Sequence, residues 1–519
     1  MAQYDYVVIG AGAAGSVVAN RLTEDSETTV LLLEAGDPDT KPEIHLPVAW
    51  PKLFGTEVDW AYFTEEEPYL FNRIIFLPRG KVLGGSSSIN AMIYIRGNSH
   101  NYDRWEESGN PGWSYQDVLP YFKKSENQQH GASEFHGVSG PLVVTDPLAP
   151  HPISQRLIEA AVAMGYGRNP DFNGAQQEGA GLYQLTVKDG KRQSTAVAFL
   201  LPILERPNLM TTTGALVTRL LFEGTCTVGV AYVHNGTEHQ VRVNKEVILS
   251  AGAFDSPKLL MLSGIGRAEH LRALGIPVVV DLPGVGQNLQ DHVLVSVGYQ
   301  ATQELQIAPS SNIAEAGMFL HTERSLDAAP DLQFLFVPLL FVNPAFARSG
   351  PGFTFIASHT HCHSRGSVSL RSASFNDPPL IQANYLQSES DMQVLVEGIK
   401  IARKLAYSGA FDEFLGEEVA PGALVSSDKA LRAYIRQACD TNWHPVGTCK
   451  MGADRLAVVD SQLRVHGVHG LRVVDASVMP SITTGNTNAP TIMLGEKAAD
   501  LIKAAGRISH QARLTIRSN

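Results

Sequence analysis

The alternation of apolar and polar positions is clearest at the start of the chain. Residues 4–9 form an apolar run rich in β-branched side chains, and residues 29–33 form a second run that ends at Glu34. Such runs are typical of buried parallel strands. The segment between them opens with glycines and continues with helical spacing to residue 22. The pattern therefore predicts a strand–helix–strand unit of about thirty residues.

The middle of the chain predicts more strands. Residues 228–233 and 241–243 flank Asn235-Gly236, a dipeptide that favours a hairpin turn. Residues 247–252 form another apolar run, which predicts a buried strand. Before them, residues 100–190 are rich in Asn, Gly, His and Pro and predict only short helices, such as one at 153–164.

A different pattern covers residues 300–435. Predicted strands at 331–337, 352–358 and 367–371 are followed by a long amphipathic helix near 392–405. This order favours a second domain in which helices cover one face of a mixed sheet.

Composition and charge narrow the class of protein. The chain has 519 residues, 44% of them hydrophobic and 18% charged, as in packed globular proteins with two or more domains. Its net charge is −11 and it has no Lys/Arg-rich run, so we expect no nucleic-acid partner. The four cysteines are widely scattered, and no apolar stretch of eighteen residues occurs. We therefore expect a cytoplasmic protein with no membrane span.

The first turn carries a dinucleotide-binding pattern. Gly10, Gly12 and Gly15 form GxGxxG between the first strand and the helix, where the glycines allow a tight turn and close approach of a pyrophosphate. Glu34 ends the next strand, at the position where a carboxylate accepts both ribose hydroxyls of an adenosine. The same carboxylate would repel a 2′-phosphate, which argues against NADP. The motif alone does not distinguish FAD from NAD.

Five further segments resemble the signatures of one family, the glucose–methanol–choline (GMC) FAD-dependent oxidoreductases. They are GKVLGGSSSIN at 80–90, GAFDSP to LSGIG at 252–266, HPVGTC at 444–449, VDAS at 474–477 and GNTNAP at 485–490. Their order and spacing cover nearly the whole chain. The resemblance is to the branch that holds choline dehydrogenases and aryl-alcohol or hydroxymethylfurfural oxidases.

The resemblance implies a fold class: an α/β Rossmann-like FAD-binding domain with a discontinuous α+β substrate-binding domain on a mixed or antiparallel sheet. The boundaries expected from it are 1–100, 195–300 and 440–506 for the FAD-binding domain. Residues 101–194 and 301–439 are then expected to form the substrate-binding or cap domain, and 507–519 a C-terminal tail.

The resemblance also implies which residues contact FAD. Beside the first glycine motif and Glu34, they are Gly84, Gly85, Ser86, Asn90, Val217, Asp475, Ala476, Asn488 and Thr491. Small residues such as Gly84 and Gly85 let the backbone lie against the cofactor. Some relatives carry a histidine, covalently bonded to the flavin, at the position of Ile89. We therefore expect noncovalent FAD.

By the same resemblance, His444 takes the place of the catalytic histidine and Asn486 that of its partner. A histidine is a workable proton acceptor near neutral pH. We expect FAD-dependent oxidation of a small primary alcohol to the aldehyde by hydride transfer to flavin N5, with His444 as general base. The reduced flavin would then be reoxidised by O2 or another electron acceptor. Trp443, directly before the base, is expected to line the substrate pocket, with a packing role as the equal alternative.

One segment departs from the family pattern. His359, His361, Cys362 and His363 stand where relatives usually carry a stretch with Pro and basic residues. On a strand the three histidines would share one face. We predict no metal here, because the expected chemistry needs none and short His-rich motifs are weak signals.

Other functions fit parts of the pattern. A GMC-type hydroxynitrile lyase also uses the histidine, whereas a fatty acid photodecarboxylase lacks it. A flavin-binding protein without catalysis is disfavoured by the presence of both His444 and Asn486. An NAD-linked dehydrogenase is the alternative if the resemblance misleads.

Overall fold

The computed structural model describes residues 2–322 and 328–517, with side chains through residue 506. Its first sheet has seven strands. In order across the sheet, six are Leu209–Thr212, Val30–Leu33, Gln3–Ile9, Thr237–Leu249, Cys226–His234 and Ala215–Glu223, and Leu471–Val473 pairs with the long fourth strand. The strands that begin the chain are parallel, as their apolar runs predict, and all four residues of Val30–Leu33 are buried.

The predicted hairpin lies in this sheet. Strands Cys226–His234 and Thr237–Leu249 are antiparallel, and His234 pairs with Thr237 across the turn. Asn235 and Gly236 both have positive φ, at 50° and 73°, as a two-residue turn of this hand requires. The hairpin prediction is therefore confirmed.

The second sheet is wholly antiparallel and also has seven strands. In order across the sheet, six are Leu415–Ala420, Val293–Ala301, Gly352–His359, Leu332–Val337, Ala316–Leu320 and Gly179–Leu182, and Asp440–Thr441 pairs with the second. The strands predicted at 331–337 and 352–358 are confirmed. The strand predicted at 367–371 is also present, but it belongs to a separate sheet formed by Gln287–Leu289, Gly366–Ser369 and Leu380–Gln382.

Four small two-stranded sheets complete the strands of the described residues. They are Ile265–Gly266 with Val280–Asp281, Tyr62–Phe63 with Phe76–Leu77, Glu126–Gln128 with Leu142–Val144, and Val187–Lys188 with Lys191–Arg192.

The helices cover the two large sheets. The α-helices are Ala13–Leu22, Pro42–His45, Ser99–Glu107, Tyr115–Ser125, Pro152–Ala163, Gly252–Leu262, Ala268–Ala273, Glu389–Ala406, Asp428–Ala438 and Asn488–Arg517. Glu389–Ala406, predicted near 392–405, buries its apolar face against the second sheet. In the described part of the chain, no helix has the length and hydropathy of a membrane span.

Two predicted domain borders do not follow the packing. Helices Ser99–Glu107 and Tyr115–Ser125 bury Trp105 and Phe122 in the core of the first sheet, beside the C-terminal helix, although residues 101–194 were predicted in the second domain. Strand Val293–Ala301 belongs to the second sheet, although the border was predicted at 300. Neither border is marked by a change of composition. Residues 507–517, predicted as a tail, continue the last helix.

Candidate active site

The glycine turn after the first strand has no room for side chains. Gly10 has φ 95°, and a Cβ added to it would lie 2.4 Å from the Ser250 carbonyl oxygen. A Cβ on Gly15 would lie 1.9 Å from the Gly10 carbonyl oxygen. The turn thus packs helix Ala13–Leu22 directly on the strand and directs its N-terminus at the space beyond Gly12.

Glu34 lies at the end of the neighbouring strand and closes this turn. Its buried carboxylate accepts hydrogen bonds from the backbone N–H groups of Ala11, at 2.7 Å, and Gly36, at 2.9 Å. Burial raises the pKa of Glu34 to about 7, although both hydrogen bonds act in the opposite direction. A carboxylate placed in this way retains lone pairs for further donors, such as ribose hydroxyls.

A cavity of about 170 Å³, here the cofactor cavity, runs along these residues. Most of the residues predicted to contact a dinucleotide line it: Gly10, Gly12, Glu34, Gly85, Ser86, Val217, Asp475, Ala476 and Thr491. Gly15 and Gly84 do not line it. They contact neighbouring backbone and side chains instead, and a Cβ on Gly84 would lie 2.3 Å from the Ser88 hydroxyl.

The shape of the cofactor cavity fits a dinucleotide. Gly12 and Gly85 face each other so closely that a Cβ on Gly85 would lie 2.8 Å from the Gly12 Cα. Ser250 lines the cavity, and its buried hydroxyl finds no hydrogen-bond partner within the described residues. Backbone exposed by small residues, a helix N-terminus and an unsatisfied donor together suit a pyrophosphate and its ribose.

A second cavity of about 270 Å³, here the substrate cavity, adjoins the first, and both are lined by Ser86 and Thr491. The remaining predicted site residues line this cavity: Asn90, Trp443, His444, Asn486 and Asn488. The structure therefore brings together side chains from the start and the end of the chain. Asn90 has its amide oxygen occupied, because it accepts from Met92 N and Arg192 Nη1, each at 2.9 Å.

His444 lies between two hydrogen-bonding side chains. Its Nδ1 is 3.0 Å from Nδ1 of His292, and its Nε2 is 3.2 Å from the amide nitrogen of Asn486. On the far side, His292 Nε2 is 3.1 Å from the Thr360 carbonyl oxygen. The Asn486 oxygen in turn accepts from Gln333 at 3.4 Å.

Two backbone carbonyls at the ends of this network assign every proton in it. Because the Thr360 carbonyl can only accept, His292 carries its proton on Nε2, and its Nδ1 must accept from His444 Nδ1–H. His444 Nε2 is then left with a lone pair.

The opposite end gives the same assignment. The Phe334 carbonyl accepts from the Tyr183 hydroxyl, whose oxygen accepts from Gln333, so the Gln333 amide also donates to Asn486 Oδ1. Asn486 therefore turns its NH2 group toward His444 Nε2.

The electrostatics agree with neutral imidazoles. Burial, together with the positive charge of Arg79, lowers the pKa of His444 to about 3. Burial and the neighbouring histidines hold the pKa of His292 well below its ordinary value. Both rings are therefore uncharged near neutral pH, and the lone pair on His444 Nε2, which accepts from Asn486 in this structure, can accept a proton once a substrate hydroxyl takes the place of that donor.

Asp291 fixes the backbone of both histidines. Its Oδ1 accepts from the N–H groups of His292, at 2.9 Å, and His444, at 2.7 Å. Its Oδ2 accepts from the hydroxyls of Tyr385 and Thr441. Burial raises the pKa of Asp291, and these four donors compensate the loss of water around its carboxylate.

Trp443 is held in an unusual conformation beside the base. Its φ is 59°, which is rare for a bulky residue and typical of functional sites. Its backbone N–H donates to Thr441 Oγ1 at 2.8 Å, and its carbonyl accepts from the partly buried guanidinium of Arg79. These contacts hold the tryptophan ring in the wall of the substrate cavity.

The three histidines from 359 to 363 do not share a strand face. The strand ends at His359, and the residues after it turn. His359 is buried 3.3 Å from Asp391, His361 contacts the Thr484 hydroxyl at 2.7 Å, and His363 is exposed. Donor atoms of His359, His363 and Asp391 lie within 4.8 Å of one another. The prediction of no metal stays a prediction.

Sequence reasoning missed several residues of this site. His292, Asp291, Gln333 and Arg79 have no local motif that separates them from ordinary core residues. His292 is 152 positions from His444 and is one of 17 histidines, so only the fold could pair them. Arg79 directly precedes the second glycine motif, which is the one signal that could have drawn attention to it.

Comparisons with known proteins agree with this geometry. Residues 4–294 and 362–495 match the two GMC oxidoreductase family models. The chain is 45% identical to the oxygen-dependent choline dehydrogenase of Pseudomonas savastanoi pv. phaseolicola, over 96% of this chain and 94% of that protein. It is 43% identical to the mitochondrial choline dehydrogenase of Mus musculus, over 96% of this chain and 89% of that protein.

Among solved structures, pyridoxine 4-oxidase from Mesorbium loti superposes with a TM-score of 0.91 at 33% identity, covering 96% of this chain and 98% of that one. The two sheets and the two adjoining cavities are thus those of a flavin-dependent oxidoreductase. The chain belongs to the GMC oxidoreductase family. It is an FAD-dependent oxidoreductase that acts on CH–OH donors, and the predicted fold class and cofactor are confirmed.

Proposed function

We propose that the chain oxidises a primary alcohol to the aldehyde, with the reaction taking place beside His444 and Asn486. One observation carries this proposal. The hydrogen-bond network from the Thr360 carbonyl to the Phe334 carbonyl leaves a lone pair on His444 Nε2 and turns the Asn486 NH2 group toward it. A proton acceptor and a hydrogen-bond donor thus stand side by side on the wall of a cavity.

An alcohol hydroxyl matches this pair. It donates its proton to His444 Nε2, while its oxygen accepts from the Asn486 amide. As the proton is transferred, His444 becomes an imidazolium whose Nδ1–H still donates to His292 Nδ1, so the charge stays hydrogen-bonded. Asn486 holds the oxygen as negative charge develops on it.

The residues of the cofactor cavity would hold FAD, with the pyrophosphate against Gly12 and Gly85 and a ribose at Glu34. FAD, when bound, supplies the oxidation by accepting the hydride from the carbinol carbon. Asn90, Asn488 and Thr491 lie toward the substrate cavity, as expected for contacts to the flavin ring. Ile89 is buried and has no nucleophile, so the proposed attachment is noncovalent.

For the second half-reaction, in which the reduced flavin is reoxidised, the proposal names only the class of electron acceptor. The relatives include an oxygen-dependent choline dehydrogenase and a pyridoxine 4-oxidase, so we propose O2 or another electron acceptor as the second substrate.

Anaerobic reduction tests the proposal directly. Purified yellow protein is mixed with a panel of primary alcohols without oxygen, and the flavin absorbance is followed. We expect at least one alcohol to bleach the flavin, and admission of air or an added acceptor to restore its colour. If dithionite bleaches the flavin and no alcohol does, the proposal is wrong, and a lyase that leaves the flavin oxidised becomes the better hypothesis.

A further inference from the structure

One face of the second sheet changes from polar to apolar with distance from the reacting pair. Gln333 donates to Asn486, whereas Leu335 and Val337, two and four positions further along the same strand, line the substrate cavity. Leu335 lies directly opposite Ile356, which also lines it. A strand advances about 3.4 Å per residue, so this apolar wall extends roughly 14 Å beyond Gln333.

The other walls of the cavity are apolar as well. They are formed by Met92, Ile93, Leu294, Ile313, Leu339 and Phe341. Most of these side chains also belong to one hydrophobic cluster, so the wall is backed by packed core. Such a surface stabilises a ligand that brings its own apolar carbon atoms, by about 0.8 kcal/mol for each buried methylene group.

The charged side chains that line the cavity do not favour a cationic ligand. Among its described lining residues none is acidic, and the only ionisable side chains are Arg79 and His444. Asp291 lies nearby, but it is not part of the lining, and its oxygens are occupied by four donors. A cationic ligand would lose its water beside a guanidinium and gain no carboxylate in return.

The aromatic rings of the cavity do not compensate for the missing carboxylate. Trp50, Phe54 and Trp443 pack edge to face on one another, with centroids 5.5 Å apart for Trp50–Phe54 and 4.8 Å apart for Phe54–Trp443. The Trp50 indole N–H also donates to the Asn312 carbonyl at 3.0 Å, which fixes that ring. A quaternary ammonium site needs several ring faces directed at one point, whereas in these rings edges pack against neighbouring faces.

We infer that the substrate is an uncharged primary alcohol with an apolar aliphatic or arylalkyl tail, and that choline is a poor substrate. The inference rests on the proposed function, because it names the substrate class of the same site. The hydroxyl group lies at the polar end of the cavity, beside His444 and Asn486. The tail extends along the wall formed by Leu335, Val337 and Ile356. This separates the chain from the relatives whose names specify choline.

A pair of isosteric probes tests the charge argument. Choline and 3,3-dimethylbutan-1-ol have nearly the same shape and differ by one positive charge. With the FAD-loaded protein under anaerobic conditions, we expect the second-order rate constant for flavin reduction to be at least about 10²-fold higher for the neutral alcohol. In a series of unbranched alcohols from butan-1-ol, we expect a rise of about fourfold per methylene until the chain outgrows the cavity.

A variant pair sharpens the same test. Leu339 lines the cavity and is only partly buried, so a polar side chain is tolerated there more readily than in the sheet. Leu339→Glu adds a carboxylate, and Leu339→Gln adds the same shape without charge. We expect Leu339→Glu to raise the choline to 3,3-dimethylbutan-1-ol rate ratio about tenfold above that of Leu339→Gln. FAD content and thermal midpoint establish that both variants are folded.

The outcomes separate the two proposals. Faster reduction by choline than by its neutral isostere overturns the inference and leaves the proposed function standing. Preferential reduction by an anionic probe, 4-hydroxybutanoate, also overturns it and assigns Arg79 to substrate binding. If neither choline nor any other alcohol reduces a flavin that dithionite reduces, the proposed function itself is wrong.

Discussion

The cofactor cavity and the substrate cavity meet at Ser86 and Thr491, yet they are built in different ways. The cofactor cavity is formed largely by backbone, exposed by small residues such as Gly12 and Gly85, and its lining includes the carboxylate of Glu34. The substrate cavity is formed by side chains that come from the second sheet, from the start of the last helix and from loops far apart in sequence.

The difference predicts how each cavity responds to change. Backbone recognition is insensitive to the identity of most neighbouring side chains, so a family can keep one cofactor while its substrates vary. The substrate cavity depends on each side chain, and its reacting pair depends on a network assembled around His292 and Asp291. Substitutions in the two cavities should therefore affect separate measurements.

The largest effect is expected at the base. His444→Ala removes the lone pair that accepts the substrate proton, and we expect flavin reduction by the best alcohol to slow by about 10²–10⁴-fold. FAD content should be unchanged, because His444 lies in the substrate cavity. The measurement is anaerobic stopped-flow reduction with the FAD to protein ratio as control. A near-normal rate of flavin reduction in this variant would show that His444 is not the general base.

His292 should come next, because it acts only through His444. His292→Phe removes the acceptor for His444 Nδ1–H, so the tautomer with the lone pair on Nε2 is no longer favoured. We expect a loss of about 10²-fold in flavin reduction, smaller than the loss caused by a wrong tautomer in a serine protease.

His292→Asn is the matched control for this variant, since its Oδ1 can replace the accepting Nδ1. It should recover at least tenfold of the lost rate. Equal rates in the two variants would show that His292 contributes only packing.

A substitution in the cofactor cavity should weaken the binding of FAD. Glu34→Ala removes a carboxylate placed to accept ribose hydroxyls, and we expect the Kd of FAD to rise about 10–100-fold, as for loss of hydrogen bonds to a charged group. Asp37→Ala is the control, because Asp37 is an exposed neighbouring acid outside the cavity lining. Titration of deflavinated protein with FAD measures both. An unchanged Kd in the Glu34 variant contradicts the ribose assignment.

The smallest expected change is in the pH profile. A base works only when neutral, and the pKa of His444 is lowered to about 3 in the folded protein. As pH falls from 8 to 5, His444 stays neutral, and we expect kcat/KM for an uncharged alcohol to change less than about twofold from this group. A loss centred near the ordinary histidine pKa of about 6.5 would contradict the burial argument. The dependence of kcat/KM on pH should be measured for both the wild type and His292→Asn.

The sequence by itself determined the cofactor half of this protein. The apolar runs, the glycine turn, Glu34 and the Asn235-Gly236 hairpin all lie within short segments, and the structure places each as its local pattern indicates. Short-range backbone geometry depends on adjacent residues, so a single segment carries enough information to predict it.

Only the tertiary structure decided the substrate half. His444 and Asn486 could be named from their flanking motifs, but their protonation depends on His292, Gln333 and two backbone carbonyls, all distant in sequence. The packing of helices 99–107 and 115–125 into the first core also had no local signal. Burial, hydrogen-bond direction and cavity shape arise when separate segments meet, and the order of residues along one segment does not contain them.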